Sequence, residues 1–269
     1  MSEVWTFRDG TLDGAIFNDV VLYNEYRLPS CFAANDTIID VGTHIGSFAH
    51  AVLSRGCGTV YGIEPDAANC KIAATHLSEY LERGSFKLIR AAVWRSEPND
   101  DELFFDGYFP FTESHPGMEG IVNTGGGSVI WGAGEPVPKL AFDELVDAVT
   151  SGGARRIRLV KLDCEGAEWP ILLTSQRLNL VDEICGEFHE IGGEFIEIGE
   201  NHPAKKPIFW KSVGMTYTIE TLEGILRDAG FVVTYVRHQR STGAPEGMGL
   251  FFATRDFNPQ ARLLDSYKS

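Results

Sequence analysis

Residues 37–63 constrain the fold more than any other stretch of this chain, because two short apolar runs there flank a glycine-bearing turn and a helical segment. Thr37–Val41 (TIIDV) and Thr59–Ile63 (TVYGI) have the length and β-branched content of buried strands. Residues 45–53, between them, have helical spacing. Strand, helix and strand in that order make a βαβ unit, and such units build a mostly parallel sheet. The alternation continues down the chain. Pro65 and Asp66 open a helix through about Leu81, 86–93 reads as a third strand, 140–149 as a helix, 156–162 as a strand, 167–174 as a helix with Pro170 in its first turn, and 183–188 as a strand. Residues 221–229 form a helix ended by Gly230, and 231–236 with 249–253 form a terminal strand pair. The expected class is α/β, with helices on both faces of the sheet.

No linker divides this pattern, so residues 36–269 are expected to form one domain and residues 1–35 a lead-in that covers it, with an amphipathic piece at 20–28 stopped by Pro29. Residues 106–138 interrupt the rhythm with GYFPFTESHPGMEG, NTGGGS and GAGEPVP. A stretch of that length without periodicity reads as a Gly-rich insertion tied to function or movement.

The chain carries 38 Asp and Glu against 23 Lys and Arg, a net charge of −15, which disfavours nucleic acid or an anionic bilayer as partner. Five cysteines without CxxC spacing, no basic-then-apolar start and no apolar run of membrane-span length point to a reduced, soluble, cytoplasmic protein. The expected partner is a small-molecule substrate. No oligomeric state is read, a homodimer being one option.

The first strand-to-helix turn carries Asp40, Val41, Gly42, Thr43, His44, Ile45 and Gly46. In an open α/β sheet this turn lies at the carboxyl edge where ligands bind. Gly42 lets a ligand approach the backbone, Gly46 allows a close entry into the helix, and the helix start offers free N–H groups. Glu64 ends the next strand, where a carboxylate accepts hydrogen bonds from both ribose hydroxyls of a nucleoside. A glycine pair alone is equally an ordinary turn, and its placement with Glu64 is what favours a nucleotide-type ligand. A dehydrogenase wants GxGxxG for a pyrophosphate. Thr43 and His44 depart from that spacing, and an acid at Asp40 suits a cation such as the sulfonium and ammonium of S-adenosylmethionine.

DVGTHIG, then YGIEPDAANC, then VKLDCEGAE resembles the FkbM family of S-adenosylmethionine-dependent methyltransferases, with its ordered DVGxxxG, EPxxxN and KxDxEGxE motifs, over roughly residues 36–190. The resemblance implies a class I methyltransferase (Rossmann-like) fold, a seven-stranded mostly parallel sheet whose last strand is antiparallel, and O-methylation of hydroxyls, often on sugars or secondary metabolites. It also implies that Asp40, Gly42 and Gly46 hold the methionine end, Glu64 the ribose, and residues 91–93, with Ala92 at their centre, the adenine side. His44 stands where the family usually has Asn, so it contacts cofactor, contacts substrate or caps the turn.

In the methyltransferase topology the strand ending at Asp163 neighbours the strand at 183–188. Two-residue alternation puts Glu187 and His189 on one side, and Asp163 and Glu165 share the same offset. A neutral alcohol must lose a proton as it attacks a methyl donor, which a positioned base assists. His189 and Asp163 compete for that role, while Glu187 is expected on the substrate side. Glu165 and Glu168 read equally well as charges at the start of the helix from Ala167. Asp163, Glu165, Glu187 and His189 are of a type that suits Mg²⁺ or Mn²⁺. Ligand type without a distance is a weak signal, so no metal is expected. Tyr108, Phe109, Phe111, His115 and Trp131, in or beside the insertion, are expected in a loop closing over substrate, or in a small apolar cluster of its own. Lys205, Lys206 and Lys211 form the one dense basic patch, read either as an anion acceptor or as a solvated loop. The competing functions are a nicotinamide-dependent oxidoreductase on a related fold, an N-methyltransferase, and a binding protein without turnover.

Overall fold

A computed structural model describes residues 5–107, 109–110, 120–130, 132–191, 217–239 and 245–255. Its centre is a seven-stranded sheet built from β1 (Thr37–Val41), β2 (Thr59–Ile63), β3 (Phe86–Ile89), β10 (Leu159–Leu162), β11 (Glu183–His189), β12 (Phe231–Gln239) and β13 (Pro245–Arg255). The order across the sheet is β12-β13-β11-β10-β1-β2-β3. β1 pairs in parallel with β2 and β10, β2 with β3, and β10 with β11. β13 runs antiparallel to both of its neighbours, β11 and β12. This is the class I methyltransferase arrangement that the motifs imply.

Parallel strands covered on both faces bury alternate residues in opposite directions. Ile39, Val41, Val160, Leu162 and Ile184 point into one apolar cluster with Trp169, Leu145 and Leu222. Ile38, Leu159 and Cys185 point into the other, with Phe48, Val52 and Phe252. The helices supplying the first face are α5 (Phe142–Thr150), α6 (Glu168–Thr174) and α7 (Ile219–Asp228), and α2 (Ser47–Leu53) supplies the second.

Several elements differ from the sequence reading for local reasons. The helix expected from Asp66 to Leu81 is two, α3 (Ala67–His76) and α4 (Ser78–Glu82), because Leu77 leaves helical geometry and buries its side chain fully. Asp66 does cap α3, accepting the Asn69 N–H at 2.7 Å. The strand expected over 86–93 stops at Ile89, and β4 (Ala92–Trp94) leaves the sheet to pair with β9 (Lys139–Ala141). That departure turns residues 91–93 toward the carboxyl edge. The insertion is ordered in part by strands too short for periodicity to reveal: β5 (Leu103–Phe105) pairs with β8 (Glu135–Val137), and β6 (Phe109–Pro110) with β7 (Val122–Asn123). Val122 also bridges Thr11, joining the insertion to the segment ahead of β1, which carries α1 (Asp13–Phe17) and a π-helical turn (Asn18–Leu22).

Candidate active site

The turn after β1 is shaped by close packing. Gly42 has φ +78°, and a Cβ there would lie 1.8 Å from the backbone carbonyl of Asp163. Any larger residue would drive the end of β1 away from the end of β10, so this glycine is required by the protein's own backbone, whatever ligand lies nearby. Gly46 enters α2 at φ +95°, with Leu77 filling the space a side chain would need. His44, between them, is held at φ +53°, a conformation uncommon outside glycine.

A cavity of about 260 Å³ opens at the carboxyl ends of β1, β2, β10 and β11. Gly42, Thr43, His44, Ile63, Glu64 and the Ala91–Ala92–Val93 run, from the ends of β1 and β2 and the start of β4, line it. Leu12, Ile16, Val20, Tyr26, Thr124 and Gly125 line it too, from the amino-terminal segment and the insertion. Glu64 is 4 % exposed, and its carboxylate accepts the N–H groups of His44 (2.8 Å) and Asp66 (3.0 Å). Burial pushes its pKa up, opposed by those donors. The oxygens are thereby aimed, ready to accept further hydrogen bonds from a ribose. Glu64→Gln replaces one aimed oxygen with a donor facing backbone N–H groups. It should weaken binding of demethylated cofactor by about 10- to 100-fold in calorimetry, and an unchanged affinity would remove Glu64 from the cofactor site.

His44 is fixed by residues the sequence reading did not single out. Thr124 Oγ1 donates to Asp13 at 2.6 Å, so it accepts from His44 Nε2 at 2.9 Å. In a neutral ring the shorter of the two Nε2 contacts, to Thr124 rather than to Arg8 Nη2 at 3.4 Å, favours the proton on Nε2 and an accepting Nδ1. Nδ1 is buried without a hydrogen-bond partner among the described residues, as is Ser47 Oγ, and both residues line the cavity. Orphaned buried polar atoms are costly unless a ligand satisfies them. They fit a polar cofactor lying along this turn. Asp13, wholly buried, also receives both Arg8 Nε and Nη2 at 2.8 Å. Burial would raise its carboxyl, but contacts with His44, Arg8 and Thr124 hold it well below the usual carboxylate range. Asn69, the last residue of the EPxxxN motif, accepts from Arg8 (2.9 Å) and donates to the Thr124 carbonyl (3.1 Å).

Asp40 takes a different place from the one expected. It is wholly buried and does not line the cavity, and its Oδ1 lies 3.3 Å from the ammonium of Lys161, its cross-strand partner on β10. Its charge is matched inside the protein, so any effect on a cationic cofactor is indirect. Lys161 also donates to the Gly42 carbonyl at 2.6 Å and lies 3.5 Å from Asp163. Burial would lower its pKa, but Asp40 and Asp163 raise it, so it stays charged.

Asp163 ends β10 on the cavity wall, with its Oδ2 accepting the Tyr26 hydroxyl at 2.8 Å. Burial would raise its carboxyl, yet Lys161, His189 and Tyr26 keep it lowered. Glu165 and Glu187 line the same cavity, as do Asp19 and Glu25. Burial pushes Glu25 and Glu165 each up to about 7 and Glu187 well above its ordinary value. Glu165 has φ +53°, so it does not enter the helix as an ordinary first-turn charge. Glu168 does begin α6, wholly buried, and accepts the N–H groups of Gly166 (2.9 Å) and His189 (2.8 Å). His189 lies beside the cavity without lining it, its ring between Glu168 (Nδ1, 3.0 Å) and Glu165 (Nε2, 3.2 Å). Burial would lower its pKa, but Glu165, Glu168 and Glu187 hold it well above the usual value.

Of the remaining expected residues, Tyr108, Phe111, His115, Trp131, Lys205, Lys206 and Lys211 lie outside the described residues, as does the side chain of Phe109. Tyr26, Asp13 and Thr124 carried no local signal. Lys161 did, as a charge inside the fully buried run LVKL.

A seven-stranded sheet with an antiparallel last strand, carrying an aimed strand-end acid over a cavity at its carboxyl edge, defines a class I methyltransferase, and S-adenosylmethionine is the cofactor of that class. The sequence matches the Methyltransferase FkbM domain over residues 40–233. The chain belongs to the FkbM methyltransferase family, which displaces the nicotinamide-dependent alternative. Among solved structures, methyltransferase FkbM from Methylobacillus flagellatus KT is 12 % identical, over 87 % of this chain and 47 % of that one, with a TM-score of 0.46. A putative RNA methyltransferase from Pyrococcus horikoshii is 14 % identical over 93 % and 91 % of the two chains, with a TM-score of 0.42. The O-methyltransferase from Bacillus cereus, in complex with the demethylated cofactor SAH, is 12 % identical over 92 % and 84 %, also at 0.42. Comparison with curated proteins gave no match. Among the described residues, no helix is long and apolar enough to cross a membrane.

Proposed function

We propose that this methyltransferase acts on a hydroxyl of a small polar molecule, a sugar or a similarly oxygenated metabolite. The observation that carries the reading is the acidity of the cavity, which the carboxylate residues Asp19, Glu25, Asp163, Glu165 and Glu187 all line. An ionised carboxylate accepts hydrogen bonds, and one that burial keeps protonated also donates one, so such a lining suits a ligand rich in hydroxyls, which do both. The cofactor supplies the methyl group, and the protein's task is to hold the acceptor oxygen in line and take its proton.

Geometry favours Asp163 over His189 for receiving that proton. Asp163 lines the cavity, and its Oδ1 has no partner among the described residues while Oδ2 is fixed by Tyr26. His189 spends its ring on glutamates and does not line the cavity. The direct test is incubation with S-adenosylmethionine and matched panels of hydroxyl- and amine-bearing small molecules, with products read by mass spectrometry. Methyl ethers are the expected products. Methylation confined to the amines would overturn the reading, since an acidic wall also attracts cations.

A further inference from the structure

The side of the acidic wall nearest His189 has the geometry of a metal centre. The His189 ring is clamped from behind, where the wholly buried Glu168 lies 3.0 Å from Nδ1 and also takes the His189 backbone N–H at 2.8 Å. A carboxylate in that position keeps one proton on Nδ1, so that Nε2 offers its lone pair to an ion that displaces the second proton, which is how metal-binding histidines are ordinarily held. Nε2 is itself buried and makes no hydrogen bond among the described residues. It points at two carboxylates, 3.2 Å from Glu165 Oε2 and 3.8 Å from Glu187 Oε2, and the three candidate ligand atoms lie within 4.8 Å of one another.

We propose that Glu165, Glu187 and His189 bind one hard divalent cation, Mg²⁺ or Mn²⁺. An octahedral ion with bonds of about 2.1 Å sets adjacent ligands about 3.0 Å apart and opposite ones about 4.2 Å apart. The 3.2 and 3.8 Å separations fall at or between those values, so the side chains need only small adjustments to close on an ion. Two carboxylates and one imidazole, with no thiolate, are the donor set of a hard or borderline cation. The ion would also offset the excess of negative charge that these glutamates share with Asp163. Glu165 and Glu187 line the cavity, so the ion's remaining positions open onto it and fit an acceptor with two adjacent oxygens. That last clause rests on the hydroxyl reading above, whereas the existence of the ion site does not.

The test uses the full chain without cofactor or acceptor, so that failure of the metal site and failure of the O-methylation reading are separate results. Mn²⁺ titration followed by electron paramagnetic resonance should show one ion per chain. Glu187→Gln and His189→Gln should each weaken binding at least tenfold, and Glu168→Gln, which alters only the orienting carboxylate, by about 10- to 100-fold. Circular dichroism identifies which variants keep the fold, and Glu187→Gln is an isosteric change at a partly exposed side chain. No uptake of Mn²⁺ up to about 1 mM, or equal affinity in the folded Glu187→Gln variant, would overturn the proposal. So would stoichiometric Zn²⁺ binding without Mn²⁺ or Mg²⁺ competition. Where no ion binds, His189 is simply the glutamates' internal counter-ion.

Discussion

Lys161→Met is expected to lower the stability of the folded protein by about 3–5 kcal/mol, the usual result of removing one partner from a buried ion pair. The side chain is 4 % exposed and its ammonium serves four groups: Asp40 at 3.3 Å, Asp163 at 3.5 Å, and the carbonyls of Gly42 at 2.6 Å and Val41 at 3.3 Å. Methionine fills most of the volume but answers none of those charges or dipoles. Asp40 then keeps a buried carboxylate with no compensating charge and no hydrogen bond to either oxygen. Urea denaturation should show the loss, and the double variant Asp40→Asn with Lys161→Met should recover more than half of it, because the two changes remove one interaction. A single-variant loss below about 1 kcal/mol would mean that the pair is solvated, with the status of a surface ion pair.

Asp163→Asn is expected to reduce kcat by about 10²- to 10⁴-fold, the range that a positioned base contributes. Asparagine preserves shape and an oxygen that can still accept the Tyr26 hydroxyl, so the strand end should stay in place. What it loses is the capacity to take a proton from the acceptor. Affinity for the demethylated cofactor should move by little if Glu64 and His44, which contact each other and not Asp163, hold it. Single-turnover rates separate the two effects. A kcat within a few-fold of the parent protein would assign proton removal elsewhere, with Glu165 the next group on the same wall.

The sheet was legible in the sequence because buried parallel strands announce themselves as short β-branched runs, and TIIDV, TVYGI and LVKL all lie in the observed ladder. Glu64 was legible too, since a strand-end acid after a glycine turn has a location fixed by topology. Asp40 was expected at the methionine end of the cofactor, whereas the register of β1 against β10 places it opposite Lys161. Two opposite charges inside adjacent apolar strands were the available signal. The contacts of the amino-terminal segment had none. Tyr26 meets Asp163 across 137 positions, and Asp13 meets Thr124 across 111. Contacts of that separation are decided by tertiary packing, which neither periodicity nor capping patterns report.

The same separation bears on the order in which the protein becomes competent. Tyr26 leaves the ribosome well before Asp163, and its hydroxyl has no carboxylate to meet until β10 has joined β1. Long-range contacts of this kind form late in folding, once loop closure has been achieved. Until then Asp163 has the Lys161 ammonium at 3.5 Å but lacks the hydroxyl that fixes its Oδ2. The amino-terminal segment therefore completes the cavity as well as covering it, since Tyr26 and Asp13 hold side chains that line it.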